Sequence, residues 1–135
     1  MSRNYIYYYM YLQMDSKLKG AIVFATVLFA IDQIWLQGAK SLHHSVISRI
    51  QKSPPQIRLW PAALFYVFAG MSWHVFLSRG YSLKEIFLFG ILMYSTFDLT
   101  NLAIFKDYPV GYALADTLWG GFAIMISAII TRRII

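Results

Sequence analysis

The feature of this sequence that most limits its fold is a set of four long apolar windows, at residues 20–39, 59–78, 86–105 and 108–131. A helix of about 20 apolar residues crosses the ~30 Å hydrocarbon core of a bilayer, and the windows contain 20, 20, 20 and 24 residues. Segments of this length are expected to be helical, because no water satisfies backbone amides inside lipid. The windows therefore predict an all-α polytopic membrane protein, an antiparallel four-helix transmembrane bundle.

The composition favours this fold over a soluble helical bundle. Hydrophobic residues make up 59% of the chain and charged residues 13%, with a mean hydropathy of +0.53. Soluble domains usually carry about 25% charged residues. Their helices also need a polar outer face, which the stretch IFLFGILMYSTF at residues 86–97 lacks.

The charges indicate a lipid partner. The net charge is +6, but the 12 Lys and Arg residues lie in small groups beside the windows rather than in a stripe. This distribution argues against nucleic-acid binding and favours contact with anionic headgroups of the bilayer. The chain has no cysteine, which excludes a disulfide, a thiolate nucleophile and a cysteine-based zinc site.

The connections between the windows fit the bundle. Residues 39–58 contain four basic residues and a Pro-Pro pair, and read as an amphipathic surface stretch followed by a turn. In RGYSLKE, Gly80 is a helix stop, and Ser82 and Glu85 have the spacing of a capping box. KDYPVG at residues 106–111 forms a second short connection, between the third and fourth windows. Short connections predict that the second, third and fourth spans each pack beside the next.

Two further predictions concern the ends of the chain. Residues 1–19 are rich in tyrosine and lack the apolar core of a signal peptide, so we expect an interfacial or disordered extension before a single domain at residues 20–135. The side with the termini carries seven basic residues and the opposite side five. By the positive-inside rule, both termini are expected to be cytoplasmic.

Three acids lie inside the windows: Asp32, Asp98 and Asp116. Each costs about 2.5–3.5 kcal/mol in the bilayer, or on the order of 10 kcal/mol together if unpaired. In an alternating topology, the window ends at residues 39, 59, 105 and 108 lie on the same side of the membrane. Counted from these ends, the three acids lie seven, seven and eight residues inward, and Tyr66 lies seven residues inward. At 1.5 Å per residue, all are roughly 10–12 Å below one surface. We therefore expect the acids to face one another, and call them the acid layer.

Polar and aromatic neighbours surround these acids. Tyr94 and Asn101 share a helical face with Asp98, and Thr100 lies slightly off it. The first and fourth windows also share the pattern Asp-x-x-Trp, as DQIW and DTLW, which places Trp35 and Trp119 one turn from their acids. Gly120 and Gly121 permit close helix approach.

Other polar residues are weaker candidates. Lys106 lies just above the acid layer, where we expect water to solvate it. The alternatives are an ion pair with Asp107 or with a substrate anion. His74 is far from the acids, and His43 and His44 lack the spacing of a helical metal pair. No zinc-protease, nucleophile-elbow or phosphate-loop motif is present.

The elements FDLTNLA at residues 97–103 and DTLWG at 116–120, with DQIWL and WPAALFY upstream, resemble the family of predicted membrane proteins termed domain of unknown function 2177. The likeness covers roughly residues 21–130. It implies a four-span protein without an established activity, and it marks nine positions: Asp32, Trp35, Asp98, Thr100, Asn101, Lys106, Pro109, Asp116 and Trp119. The chain departs from the family in its tyrosine-rich extension and in Asp107, where a small residue is usual.

Three hypotheses follow. In the first, the acid layer binds a proton or small cation for transport or ligand binding. Its predicted binding residues are Asp32, Asp98, Asp116, Asn101, Thr100, Tyr66, Tyr94, Trp35, Trp119 and Lys106. In the second, an intramembrane enzyme modifies lipid; no cofactor is predicted, but Asp98, Asn101 and Asp116 would be the ligands of any divalent metal. That hypothesis has no nucleophile or histidine base near the acids. In the third, the polar layer only packs helices in a structural or assembly subunit. A homodimer is compatible with each hypothesis.

Overall fold

The structure is a computed structural model that describes residues 3–135, and the side chains of all of these except residues 3–5, 9 and 13. Within this range the elements are α1 (Arg3–Gly38), α2 (Lys40–Gln51), α3 (Leu59–Val75), a 3₁₀ turn (Leu77–Arg79), α4 (Leu83–Ile104) and α5 (Val110–Ile134). Four segments are long and apolar enough to cross a membrane: Ile6–Gly38, Leu59–Arg79, Leu83–Ile104 and Val110–Ile134. The predicted all-α polytopic bundle is confirmed.

The first helix extends well upstream of its predicted window. It contains 36 residues without a break, so residues 3–19 continue the helix of the first span. Residues 1 and 2 of the predicted extension lie outside the described part of the chain. Tyr7, Tyr8 and Tyr11 are exposed. Their position at the lipid–water boundary stays a prediction.

The turn before α4 has the predicted chemistry. Gly80 has a φ of +85°, the left-handed conformation that favours glycine at a helix end. The Ser82 Oγ accepts a hydrogen bond from the Glu85 amide at 3.3 Å, and the Ser82 amide donates to Glu85 Oε2 at 2.7 Å. Both halves of the capping box are therefore present.

The last helix begins two residues later than its predicted window. Tyr108 precedes Pro109, and a residue before proline is driven away from the helical conformation. Pro109 has extended backbone angles and is the N-cap of α5. Tyr108 therefore belongs to the turn, where its ring is buried.

The spans pack in the order α3, α1, α5, α4. A shared core of buried side chains joins them, including Phe24 and Leu28 of α1, Trp73 of α3 and Ile124 of α5. Contact between α4 and α5 is close because a Cβ atom on Gly90 would lie 2.5 Å from the Gly120 carbonyl and 2.8 Å from the Gly121 Cα. Gly120 and Gly121 permit close helix approach, as predicted, and Gly90 on the facing helix does the same.

The expectation that α3 and α4 pack side by side is wrong. They belong to opposite ends of the packing order, and ring contacts bridge the space between them. Phe65 of α3 contacts Tyr94 of α4, and Phe76, the residue after α3, contacts Phe89 of α4, each with centroids 6.4 Å apart. Large rings hold these helices apart, whereas glycines bring α4 and α5 together. A cavity lies between α3 and α4 at the level of the acids.

Helix α2 packs against the outer ends of α4 and α5. Val46 is buried in a cluster with Tyr108 and Ala113. Lys52, just after α2, pairs with Asp107 at 3.5 Å. The predicted amphipathic stretch is thus a helix whose apolar face covers the turn between the last two spans.

Candidate functional site

Asp32 receives hydrogen bonds from three other helices. Its side chain is buried, and its carboxylate accepts from Tyr66 Oη of α3, Tyr94 Oη of α4 and Trp119 Nε1 of α5, each at 3.2 Å. These neutral donors replace part of the hydration that the carboxyl group loses inside the bundle. The hydrogen bond from Tyr66 confirms the prediction that this residue approaches the acid layer.

The two Asp-x-x-Trp elements bond to each other. Trp35 Nε1 donates to Asp116 Oδ1 at 2.6 Å, while Trp119 Nε1 donates to Asp32 Oδ1. The indole rings stack with centroids 5.6 Å apart and an interplanar angle of 17°. Because α1 and α5 run in opposite directions, the tryptophan of each helix lies level with the acid of the other. We call this reciprocal pair the Asp–Trp brace.

Tyr94 reaches Asp32 across α5. A Cβ atom on Gly120 would collide with the Tyr94 ring, so only glycine leaves room for that ring. Gly120 therefore has a direct role in the site. It lets a side chain of α4 pass α5 and bond to α1.

Asp98 has a separate environment. Its side chain is fully buried, and its oxygens accept from Tyr108 Oη at 2.7 Å and Thr117 Oγ1 at 3.0 Å. Asp98 does not line the cavity. The structure therefore divides the three acids into a pair at the cavity and one acid enclosed between α4 and the start of α5.

The cavity has a volume of about 680 Å³. Two aspartates line it, together with six tryptophan, phenylalanine or tyrosine residues, one histidine, one asparagine, two threonines, one leucine and one methionine. In that order the lining residues are Asp32, Asp116, Trp35, Phe65, Tyr66, Tyr94, Phe97, Tyr112, His43, Asn101, Thr96, Thr100, Leu36 and Met93.

Among the predicted binding residues, Asn101 and Thr100 line the cavity. The Thr100 hydroxyl donates to the Thr96 carbonyl at 2.6 Å. Trp119 contacts Asp32 without lining the cavity. Lys106 is exposed in the turn after α4 and does not line the cavity, and Asp107 pairs with Lys52 instead.

His43 and Tyr112 were not predicted to lie at the acid layer, but both line the cavity with Asp32 and Asp116. His43 is 8% exposed; its Nδ1 lies 2.8 Å from Tyr112 Oη and its Nε2 lies 3.3 Å from the Trp35 carbonyl oxygen. A carbonyl only accepts, so Nε2 carries a proton and donates to Trp35, while Nδ1 is hydrogen-bonded to the Tyr112 hydroxyl. The assumption that no histidine lies near the acids is wrong.

Available signals could have identified both residues. Tyr112 lies one turn before Asp116, at i−4, and shares its helical face. His43 shares the buried face of α2 with Val46. The sequence does not show that α2 packs against the bundle, because that packing depends on contacts between segments remote in sequence.

The described residues contain no basic partner for these acids. The ion pairs in this part of the chain join other acids to lysines: Lys19 to Asp15 at 2.7 Å and Lys52 to Asp107 at 3.5 Å. In the same part of the chain, no group of three His, Cys, Asp or Glu side chains is arranged to hold a metal ion. Neutral O–H and N–H donors are thus the observed partners of the acid layer.

Comparison with known proteins agrees with this architecture. The family model described as "Predicted membrane protein (DUF2177)" matches residues 18–132, which include all five cavity-forming helices in whole or in part. No curated protein and no solved structure gives a significant match. The chain therefore belongs to the DUF2177 family of predicted membrane proteins.

Proposed function

We propose that this membrane protein binds a small organic cation in the cavity between α3 and α4, with Asp32 and Asp116 as the anionic partners, and that binding serves transport across the bilayer. The observation that carries the proposal is that two carboxyl groups face a cavity whose lining contains no Lys or Arg among the described residues. Intramembrane acids are costly and mark ligand or ion pathways by default.

The hydrogen bonds leave acceptor capacity at the cavity. An ionised carboxylate has about four lone-pair sites. The described donor to Asp116 is Trp35, and Asp32 has three donors. A cation between the two acids would supply the charge that these neutral donors lack.

Cavity size and walls favour an organic cation. A volume of about 680 Å³ falls in the ~300–1,000 Å³ range of small-molecule sites and far exceeds one bare metal ion. Aromatic rings attract cations through their faces. The lining rings include Trp35, Tyr66 and Tyr112. Alkylammonium groups combine a positive charge with apolar surface that suits these walls.

The test compares Asp32→Asn and Asp116→Asn with the parent. Calorimetric titration of purified protein with tetramethylammonium, tetraethylammonium and sodium ions should show saturable binding of a tetraalkylammonium ion to the parent. Each exchange should weaken binding more than about tenfold, because removing one partner of a buried charge contact costs about 2 kcal/mol or more. Asp107→Asn is the matched control, since Asp107 lies outside the cavity.

Transport requires a second measurement. Proteoliposomes containing the parent should take up the bound tetraalkylammonium ion, and the Asp32→Asn protein should not. Failure of the folded parent to bind either tetraalkylammonium ion would refute the binding proposal, whether or not sodium binds. Binding without uptake would refute the transport part.

A second candidate is a lipid-modifying enzyme, which the position of His43 favours. Its imidazole faces the same cavity as Asp116, so an acid and a base are available there. However, the Tyr112 hydroxyl occupies Nδ1, so proton abstraction would require this bond to open. Lipids incubated with the parent and with His43→Gln protein, compared by mass, would reveal a product formed only by the parent.

A further inference from the structure

A second cavity lies at the other end of the bundle. It has a volume of about 480 Å³ and is formed by α1, by the end of α3 with its turn, and by the end of α5. Its lining consists of two basic, two hydroxyl, one indole and two small or aliphatic residues: Lys17, Arg132, Ser16, Ser78, Trp73, Gly80 and Ile135.

Its position matches the opposite membrane boundary. Lys17 lies 15 residues before Asp32, and Arg132 lies 16 residues after Asp116. At 1.5 Å per residue, both basic side chains begin roughly 22–24 Å along the helix axes from the acid layer. The second cavity is therefore at headgroup depth on the side predicted to be cytoplasmic.

The cavity has a positive lining. Lys17 and Arg132 are accompanied by no acidic side chain in the described lining. Arg132 Nη2 donates to the Tyr81 carbonyl at 2.8 Å and the Leu77 carbonyl at 3.4 Å. These bonds hold the guanidinium at the turn after α3 and leave its Nε and Nη1 protons for another acceptor.

Trp73 lines the cavity and has an unpaired donor. Its side chain is 2% exposed, and its Nε1 is a buried polar atom without a hydrogen-bond partner among the described residues. A Cβ atom on Gly20 would collide with Nε1 and meet Ile135 Cδ1, so the N–H is packed against α1 beside Ile135, which also lines the cavity. A buried unpaired N–H is costly, and an oxygen acceptor at this wall would remove the cost.

From these features we infer that the second cavity binds a phosphate group, as carried by an anionic phospholipid headgroup, with Lys17 and Arg132 as its charge partners and the Trp73 N–H as a further donor. Phosphate oxygens accept charge-assisted hydrogen bonds from Lys and Arg. The anionic lipids of the cytoplasmic leaflet attract basic residues at that boundary. The inference is independent of the cation site.

The experiment measures retained lipid by native mass spectrometry and thermal stabilisation by added lipid. Purified protein in detergent receives phosphatidylglycerol, phosphatidylcholine or inorganic phosphate. We expect phosphatidylglycerol to be retained in preference to phosphatidylcholine. Lys17→Gln should weaken its binding about fivefold, the effect of one basic residue at an anionic surface. Lys84→Gln is the matched control, because Lys84 is exposed on α4 and does not line the cavity.

Trp73→Phe tests the N–H donor while keeping an aromatic ring beside Phe24. This variant should also retain less phosphatidylglycerol, although its helix content without lipid matches the parent. If inorganic phosphate alone stabilises the parent and displaces the lipid, the cavity is a phosphate site whose source is the free anion. Equal retention of both lipids with no effect of phosphate, or equal losses for Lys17→Gln and Lys84→Gln, would overturn the inference.

Discussion

At the scale of single residues, each acid in the layer is bonded by donors from elsewhere in the fold. Asp32 and Asp116 exchange tryptophan donors through the Asp–Trp brace, and Asp98 accepts from Tyr108 in the following turn. An acid inside a bilayer has no water to compensate for a missing donor. The donors are therefore expected to contribute to stability as well as to the site.

The brace predicts coupling between its two tryptophans. Trp35→Phe and Trp119→Phe each keep an aromatic ring but remove one N–H donor, so each should lower the free energy of unfolding by about 1 kcal/mol. Because the two indoles also stack on each other, the double variant should deviate from additivity by about 0.5 kcal/mol or more. Unfolding in detergent measures the four proteins, and strict additivity would contradict a coupled brace.

At the scale of elements, glycines and rings determine which helices touch. Gly90 and Gly120 permit close contact between α4 and α5, while Phe65, Tyr94 and their neighbours keep α3 and α4 apart. Van der Waals packing at small residues is a main source of helix association in lipid. The cavity is a consequence of this uneven spacing.

Gly120→Ala should disrupt that arrangement. The new methyl group would collide with the Tyr94 ring, which must move away from Asp32. We expect a loss of about 1–3 kcal/mol in stability, typical of overpacking. Gly111→Ala is the control, because a Cβ atom there meets nothing within 4 Å and alanine has the higher helix propensity. Thermal unfolding that is equal in the two variants would contradict close packing at Gly120.

At the scale of the whole molecule, the two cavities lie at opposite ends of the bundle and have opposite charge. The first contains Asp32 and Asp116, and the second contains Lys17 and Arg132. Helix α2 and the described turn between α4 and α5 lie at the acidic end. The two ends of the bundle are therefore chemically distinct, and the orientation of the protein in the bilayer is a prediction that can be tested.

This orientation can be measured by thiol labelling, because the chain has no cysteine. Ser45→Cys on α2 and Lys84→Cys on α4 place one exposed thiol near each end. By the positive-inside rule, an impermeant reagent should label Cys at position 84 from the cytoplasmic side and Cys at position 45 from the other. Labelling of both positions from one side would refute the four-span topology.

The sequence by itself determined the spans and the capping box before α4, because length, apolarity and the spacing of cap residues are local properties. The repeated Asp-x-x-Trp pattern identified the four residues of the brace, but only the structure showed that each tryptophan bonds to the acid of the other helix. Tertiary structure alone decided that Asp98 is enclosed by Tyr108 and Thr117 and that His43 joins the cavity wall. It also separated α3 from α4, because the spacing of helices depends on which side chains meet between segments remote in the chain, and hydrophobic periodicity carries no information about those pairs.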